Sequence, residues 1–143
     1  MNDLLAALMS WTVTLSGYPA PAQMPEVLTV SHAELVHNAC QDHECKVLGW
    51  FPPGQKIYLD ERLLPLDSTF SSAIVIHEMV HYLQQSSPRF IHARDRADCA
   101  EIFEMEHQAY QVQREFFTQY GVYQPVGAAL HATANCTPVA NAP

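Results

Sequence analysis

The sequence predicts an α+β domain in which a small twisted sheet packs against two long helices. Ser71 to Gln85, SSAIVIHEMVHYLQQ, reads as one helix, and CAEIFEMEHQAYQVQREFF lies within a second that runs from Arg94 to Tyr120. Lys46 to Phe51 and Gln55 to Asp60 read as two strands of a hairpin around Pro52-Pro53-Gly54, a turn-forming trio.

Composition limits what such a domain can be. The 143 residues suit one domain spanning 1–143, long enough to bury a core. Hydrophobic residues make up 48% and charged residues 15%, which excludes disordered and collagen-like chains. A net charge of -8 repels phosphate backbones and anionic membrane surfaces, so neither nucleic acid nor a membrane is an expected partner. The nearest approach to a membrane span, Leu4 to Leu15, is broken by Ser10, Thr12 and Thr14.

The elements follow in order. Leu4, Leu5, Leu8, Trp11 and Leu15 recur at helical spacing, so the first helix packs on the core and ends near Gly17. Asp3 stands where a signal peptide would carry positive charge, and any export signal is expected upstream of Met1. Tyr18 to Pro25, with three prolines, is an extended connector. Glu26 to Val30 is a short strand. Ser31-His32-Ala33-Glu34 then has the capping-box pattern and opens a helix reaching about Ala39. After the hairpin, Leu63 to Phe70 reads as loop, with Ser71 or Ser72 as the N-cap of the next helix. That helix ends around Ser86-Ser87, before Pro88, and the last one stops at Gly121.

Four cysteines are most economically paired 40 with 45 and 99 with 136, which suits a periplasmic or secreted protein. The alternatives are free buried thiols, or a second metal site from Cys40, Cys45 and His43 or His37.

The chemistry centres on His77, Glu78 and His81. A random HExxH is expected roughly 0.03 times in a chain with this His and Glu content, so the spacing needs support from context. Residues four apart share a helix face, which lets two imidazoles meet one ion. Ala73, Ile76, Val80 and Gln84 lie beside them, so the ligands point inward from the edge of an apolar stripe. Glu78, about 100° around the helix, stays out of the ligand set yet near enough to take a proton from water on the ion. The bland alternative is a pair of core histidines with a surface glutamate.

A catalytic zinc needs a third protein ligand and an open position. Tyr82 to Ser87 contains no third His at metzincin spacing, so the ligand comes from elsewhere. On the long helix Ile102, Phe103, Glu106, Ala109, Tyr110, Gln113 and Phe117 share one face. Glu104 falls with Ala97, Glu101, Gln108 and Gln111 on the polar face. Glu106 is therefore the carboxylate turned to the core, where a charge is costly unless paired or metal-bound. Asp98 and His107 remain alternatives, as does a plain buried ion pair.

IVIHEMVHYLQ followed by EMEHQAY resembles the gluzincin branch of zinc metallopeptidases, in which HExxH is completed by a Glu from a downstream helix, commonly as ExxA. It is also similar to small bacterial zincin-like proteins with an HExxHxxQ helix and an AYxxQ helix. The resemblance covers roughly Ile57 to Gln113, and Glu106-His107-Gln108-Ala109 takes the ExxA place. It implies a zincin-like fold in which the strand bearing Tyr58 is the edge of the sheet, lining the cleft and open to an extended substrate. It further implies Zn2+ held by His77, His81 and Glu106, with Glu78 as the catalytic base hydrolysing a peptide or protein. Large gluzincins draw a transition-state-stabilising Tyr or His from a C-terminal lobe. Here about two dozen residues follow the long helix, and His131, Tyr110, Tyr120 and Tyr123 are the candidates for that role. His32, His37, His43 and His92 are expected to be surface or satisfied core residues. The rival readings are a zincin-fold binding module that holds metal without hydrolysis, and a cysteine-stapled interaction protein with an accidental motif.

Overall fold

A computed structural model of the chain describes residues 1–90 and 99–128; the positions of His92, Asp98, His131 and Cys136 lie outside them. Among the described residues the protein is a mixed α+β structure of four α-helices and one three-stranded sheet.

Helix α1 (Asn2–Ser16) follows the predicted apolar spacing and buries Leu5, Leu8, Met9 and Thr12. It stops where Gly17 adopts φ 77° and donates its N–H to Val13 O, the left-handed cap that glycine reaches without steric cost. Strand β1 (Glu26–Val30) and helix α2 (His32–Ala39) form where expected, and Ser31 Oγ accepts the Glu34 N–H at 3.2 Å.

The hairpin is present but lopsided. Its second arm is β3 (Lys56–Asp60), whereas the first shrinks to β2 (Gly49–Trp50) in place of the expected six residues. Pairing places Trp50 opposite Tyr58 and Gly49 opposite Leu59, and the Asp60 N–H reaches Leu48 O. A disulfide ties Cys45 to Cys40 just upstream, holding that end against α2, while Pro52 and Pro53 lack N–H donors at the other. The second expected disulfide, Cys99 with Cys136, falls outside the described residues.

Strand order is β1-β3-β2, with β1 parallel and β2 antiparallel to β3. This corrects the expected position of Tyr58: its strand is the centre of the sheet, and both its backbone edges are engaged. The edges belong to β1 and β2. The parallel partner comes from Glu26 to Val30, far back in the chain, and local reading of the hairpin cannot see it.

Side chains alternate across β3. Ile57 and Leu59 enter the main core with α1 and the two long helices, while Tyr58 joins Leu35, Cys40, Val47 and Trp50 under α2. Asp60 lies on the α2 side, fully buried, where it accepts from Arg62 Nη2 at 2.6 Å, from Arg62 Nε and from the Arg62 backbone N–H. The oxygen that accepts from Nη2, Oδ2, is also 2.9 Å from His32 Nδ1, while Oδ1 takes the Nε and backbone bonds.

Helix α3 (Thr69–Gln84) starts earlier than expected. Ser68, not Ser71 or Ser72, is the N-cap: it accepts the Ser71 N–H at 3.0 Å, and Ser71 Oγ takes the Ser68 N–H in return. Phe70 in this first turn is 53% exposed, so no apolar stripe marks the start. From Ser71 on, α3 is buried almost all round between the sheet, α1 and helix α4 (Cys99–Gln119). Helix α4 ends as predicted, with Gly121 at φ 70° and the N–H groups of Gly121 and Val122 returning to Thr118 O and Phe117 O. No helix among the described residues is long and apolar enough to cross a membrane.

The Asp60 cluster makes a pH prediction. Burial alone would raise its pKa, but the hydrogen bonds and charge of Arg62 and the bond to His32 outweigh it and leave the value below that of an ordinary carboxylate. A depressed folded-state pKa contributes stability above the unfolded value of about 3.9, lost as pH falls through the folded one. Asp60→Asn should therefore lower the thermal midpoint at neutral pH, with the gap to the parent narrowing as pH is taken down through the acid range. A constant gap down to pH 2 would locate the acid sensitivity elsewhere.

Candidate metal centre

Because α3 is enclosed, every polar side chain on it must find a partner inside. His77 and Glu78 are 6% and 8% exposed and Gln84 not at all, so the bland alternative of a surface glutamate is excluded by burial. His77 and His81 lie one turn apart on the face that meets α4. Opposite them α4 presents Glu106, Tyr110 and Gln113, also spaced at about one turn.

Two imidazole nitrogens and the carboxylate of Glu106 converge there. His77 Nε2 is 3.2 Å from Glu106 Oε2, His81 Nε2 is 2.9 Å from Glu106 Oε1, and the two Nε2 atoms are 3.2 Å apart. Ligands about 2.0–2.1 Å from a tetrahedral ion are separated by about 3.3 Å, so side chains at these spacings could hold one ion among them. Among the described residues this is the one group of three His, Cys, Asp or Glu that can hold a metal ion.

The opposite nitrogens identify the tautomers. His81 Nδ1 lies 2.8 Å from Gln84 Oε1, and Gln84 Nε2 donates to Met105 O at 3.0 Å and to Gln108 Oε1 at 3.1 Å. With its amide donors used, Gln84 offers His81 an acceptor, so the proton is on Nδ1 and Nε2 faces the cluster. His77 Nδ1 is 2.9 Å from Gln113 Oε1, with Gln113 2% exposed. The acceptors that orient the two imidazoles are thus the side chains of two glutamines. They are the final residues of the HExxHxxQ and AYxxQ patterns, a signal present in the sequence whose meaning only the packing discloses. Gln108, assigned to the polar face, is likewise turned inward, accepting from Gln84 and from the Tyr18 hydroxyl.

Electrostatics match the geometry of a charge-dense pocket. Burial opposes ionisation of Glu106, but the His81 charge, hydrogen bonds from both imidazoles and the His77 charge bring its pKa well below the carboxylate range. Burial would also lower His81, yet the charge and hydrogen bond of Glu106, with help from Glu78 and Gln84, raise it to about 9. Glu78 is pushed up, first by burial and further by Glu106, against the opposing pull of the two histidines. Tyr110, its ring centroid 4.6 Å from that of His77, is raised to about 12 by burial and then by Glu106 and Glu78.

The other candidates go elsewhere. His107 stacks on Phe103 and lines a separate cavity of about 540 Å³ with Tyr18, Arg89 and Glu104, and is not part of the cluster. Of the tyrosines proposed to face a transition state, Tyr120 packs on Trp11 and Phe116 and Tyr123 is 85% exposed; Tyr110 alone of the described candidates sits beside a ligand. His37 pairs with Asp42 at the surface, and Cys40 and Cys45 are joined to each other, so they form no second metal site. Sequence reasoning missed Gly127. At φ 77° it brings the segment after α4 back onto Tyr110, where a Cβ would lie 2.5 Å from Tyr110 Cγ.

No family model matches the chain, and no curated protein or solved structure matches it. The gluzincin resemblance therefore rests on the motif residues themselves.

Removing either glutamine acceptor should loosen a ligand without touching the ligand set. Gln84→Leu and Gln113→Leu are each expected to weaken metal binding by about 10- to 100-fold in chelator-competition titrations. Affinities equal to the parent's would mean that the imidazoles are oriented by packing alone.

Proposed function

We propose that the protein is a zinc-dependent hydrolase of peptide bonds, of gluzincin type, with His77, His81 and Glu106 as the metal ligands. The observation that carries this reading is the buried convergence of two Nε2 atoms and one carboxylate, with a fourth ionisable group, Glu78, beside them and outside the ligand set. Two imidazoles and one carboxylate form a donor set that catalytic zinc uses, leaving a coordination position for water or substrate. A purely structural site would close that position and would have no use for a buried Glu78.

When bound, the ion supplies Lewis acidity, polarising the scissile carbonyl and making water easier to deprotonate. Glu78 takes the proton from that water as it attacks the carbonyl carbon and hands it to the departing amine nitrogen. Burial raises the Glu78 pKa, the direction that favours holding the proton between the two transfers. Tyr110, held neutral and with its ring against His77, would serve as a hydrogen-bond donor to the developing oxyanion. An extended peptide would add to the sheet at β2, the edge strand against Glu78, and not at the strand of Tyr58. The Cys40–Cys45 disulfide favours a periplasmic or secreted setting.

Elemental analysis of the purified protein should find about one equivalent of zinc, reduced in His77→Ala and in Glu106→Ala. Against a peptide library, Glu78→Gln should retain metal and lose roughly 10²- to 10⁴-fold in kcat. A parent that takes up no zinc when supplied, or a Glu78→Gln variant as active as the parent, would defeat the reading.

A further inference from the structure

Gly49 brings no side chain to the site, and its backbone does not need glycine on conformational grounds: the positive-φ glycines described are Gly17, Gly54, Gly121 and Gly127. What surrounds it does. A Cβ at this position would lie 2.9 Å from Glu78 Cγ, 3.1 Å from Glu78 Oε1 and 3.3 Å from Glu78 Cδ. Carbon atoms in contact settle at about 3.5–4.0 Å, so an added methyl group requires Glu78 to move. All three nearest atoms belong to Glu78, which makes that one side chain the sole neighbour at closest range.

Neither partner yields easily. Gly49 is itself buried and is fixed in β2 by its pairing opposite Leu59. Glu78 is 8% exposed on a helix enclosed on nearly every side, and it lies near enough to the His77–His81–Glu106 cluster for the charges there to act on it. The carboxylate thus stands against the bare backbone of the edge strand, within electrostatic reach of the ligands.

We infer that Gly49 is the positioning residue for Glu78, its missing side chain being the space in which the proposed base stands at working distance from the metal site. The inference rests on the hydrolase reading for Glu78. It adds a residue from a different element, 29 positions upstream, that is no metal ligand and acts on the base through the space it leaves. It also implies a partial compensation: Glu78→Asp shortens the base by one methylene and withdraws the carboxylate oxygen that would stand 3.1 Å from an added Cβ, while a carbon remains at the Cγ position.

The test compares the parent, Gly49→Ala, Glu78→Asp, Gly49→Ala/Glu78→Asp and Glu78→Gln as cobalt(II)-loaded proteins. Cobalt affinity and the pH dependence of the visible spectrum are read first, and peptide hydrolysis second. Cobalt affinity should stay within a few-fold of the parent throughout, because the ligands are untouched. The spectral pH transition should shift in Gly49→Ala in the direction it shifts in Glu78→Gln, and return toward the parent in the double variant. With a substrate in hand, Gly49→Ala should lose about 10- to 100-fold in kcat with KM little changed, the penalty of displacing a reacting group by about 1 Å. The double variant should be more active than the product of the two single losses. A Gly49→Ala protein that unfolds while the double variant folds supports the same conclusion.

A transition that moves in Glu78→Gln but not in Gly49→Ala overturns the inference while leaving the hydrolase reading intact. So does a double variant that shows the two losses multiplied, or one that fails to fold alongside Gly49→Ala. A parent that binds no cobalt, or whose spectrum is identical to that of Glu78→Gln at every pH, overturns the hydrolase reading and this inference with it.

Discussion

A carboxylate and two imidazoles facing one another inside a nearly closed helix pair set the terms for much of the molecule. Isolated, any of the three charges would be expensive at this depth, and together they demand either a proton shared among them or a cation between them. Their outer atoms must also be satisfied, and the structure does this with amides: Gln84 and Gln113 cap the imidazoles, Gln84 is held by Met105 O and Gln108, and Gln108 is held by Tyr18. The Gln84–His81 bond lies within α3; the other links tie α3 to α4, and α4 to the segment after α1. The polar network therefore joins the apolar contacts in setting the relation of the two long helices.

The sheet is too small to stand alone and takes its stability from the same helix. Ile57 and Leu59 enter the main core against α3. At the far end of α3, Gln85 receives the Gly54 N–H and donates to Gly54 O, and the Tyr82 hydroxyl donates to Gln23 O and Gln55 Oε1. These bonds lash the hairpin turn to the helix that carries His77 and His81. Edge strand β2 is consequently part of one rigid frame with the ligands, which gives the contact between Gly49 and Glu78 its geometric definition. On the other face, the disulfide and the cluster around Leu35 hold α2 against Tyr58.

Much of the site was legible in the chain because it depends on helical periodicity, which is local. His77 and His81 had to share a face, Glu106 had to turn inward with Ala109 and Gln113, and Ser31, Gly17 and Gly121 had to bound their helices; each follows from neighbours within a turn or two. The close spacing of Cys40 and Cys45 made their pairing readable for the same reason.

What the tertiary structure decided was everything set by segments distant in sequence. β1 pairs with β3 across an intervening helix and strand, which puts Tyr58 at the centre of the sheet and leaves β2 at its edge. Glu106 is chosen over His107 by the packing of α3 on α4, which turns one residue to the histidines and the next toward a separate cavity. The acceptors for the imidazoles are glutamines 3 and 36 residues from their partners, unremarkable until the two helices meet. Gly49 and Gly127 matter for the atoms they lack, and only the approach of another segment, Glu78 in one case and Tyr110 in the other, gives that absence a meaning. Periodicity determines which way a side chain points; what it meets there depends on contacts the whole fold must close.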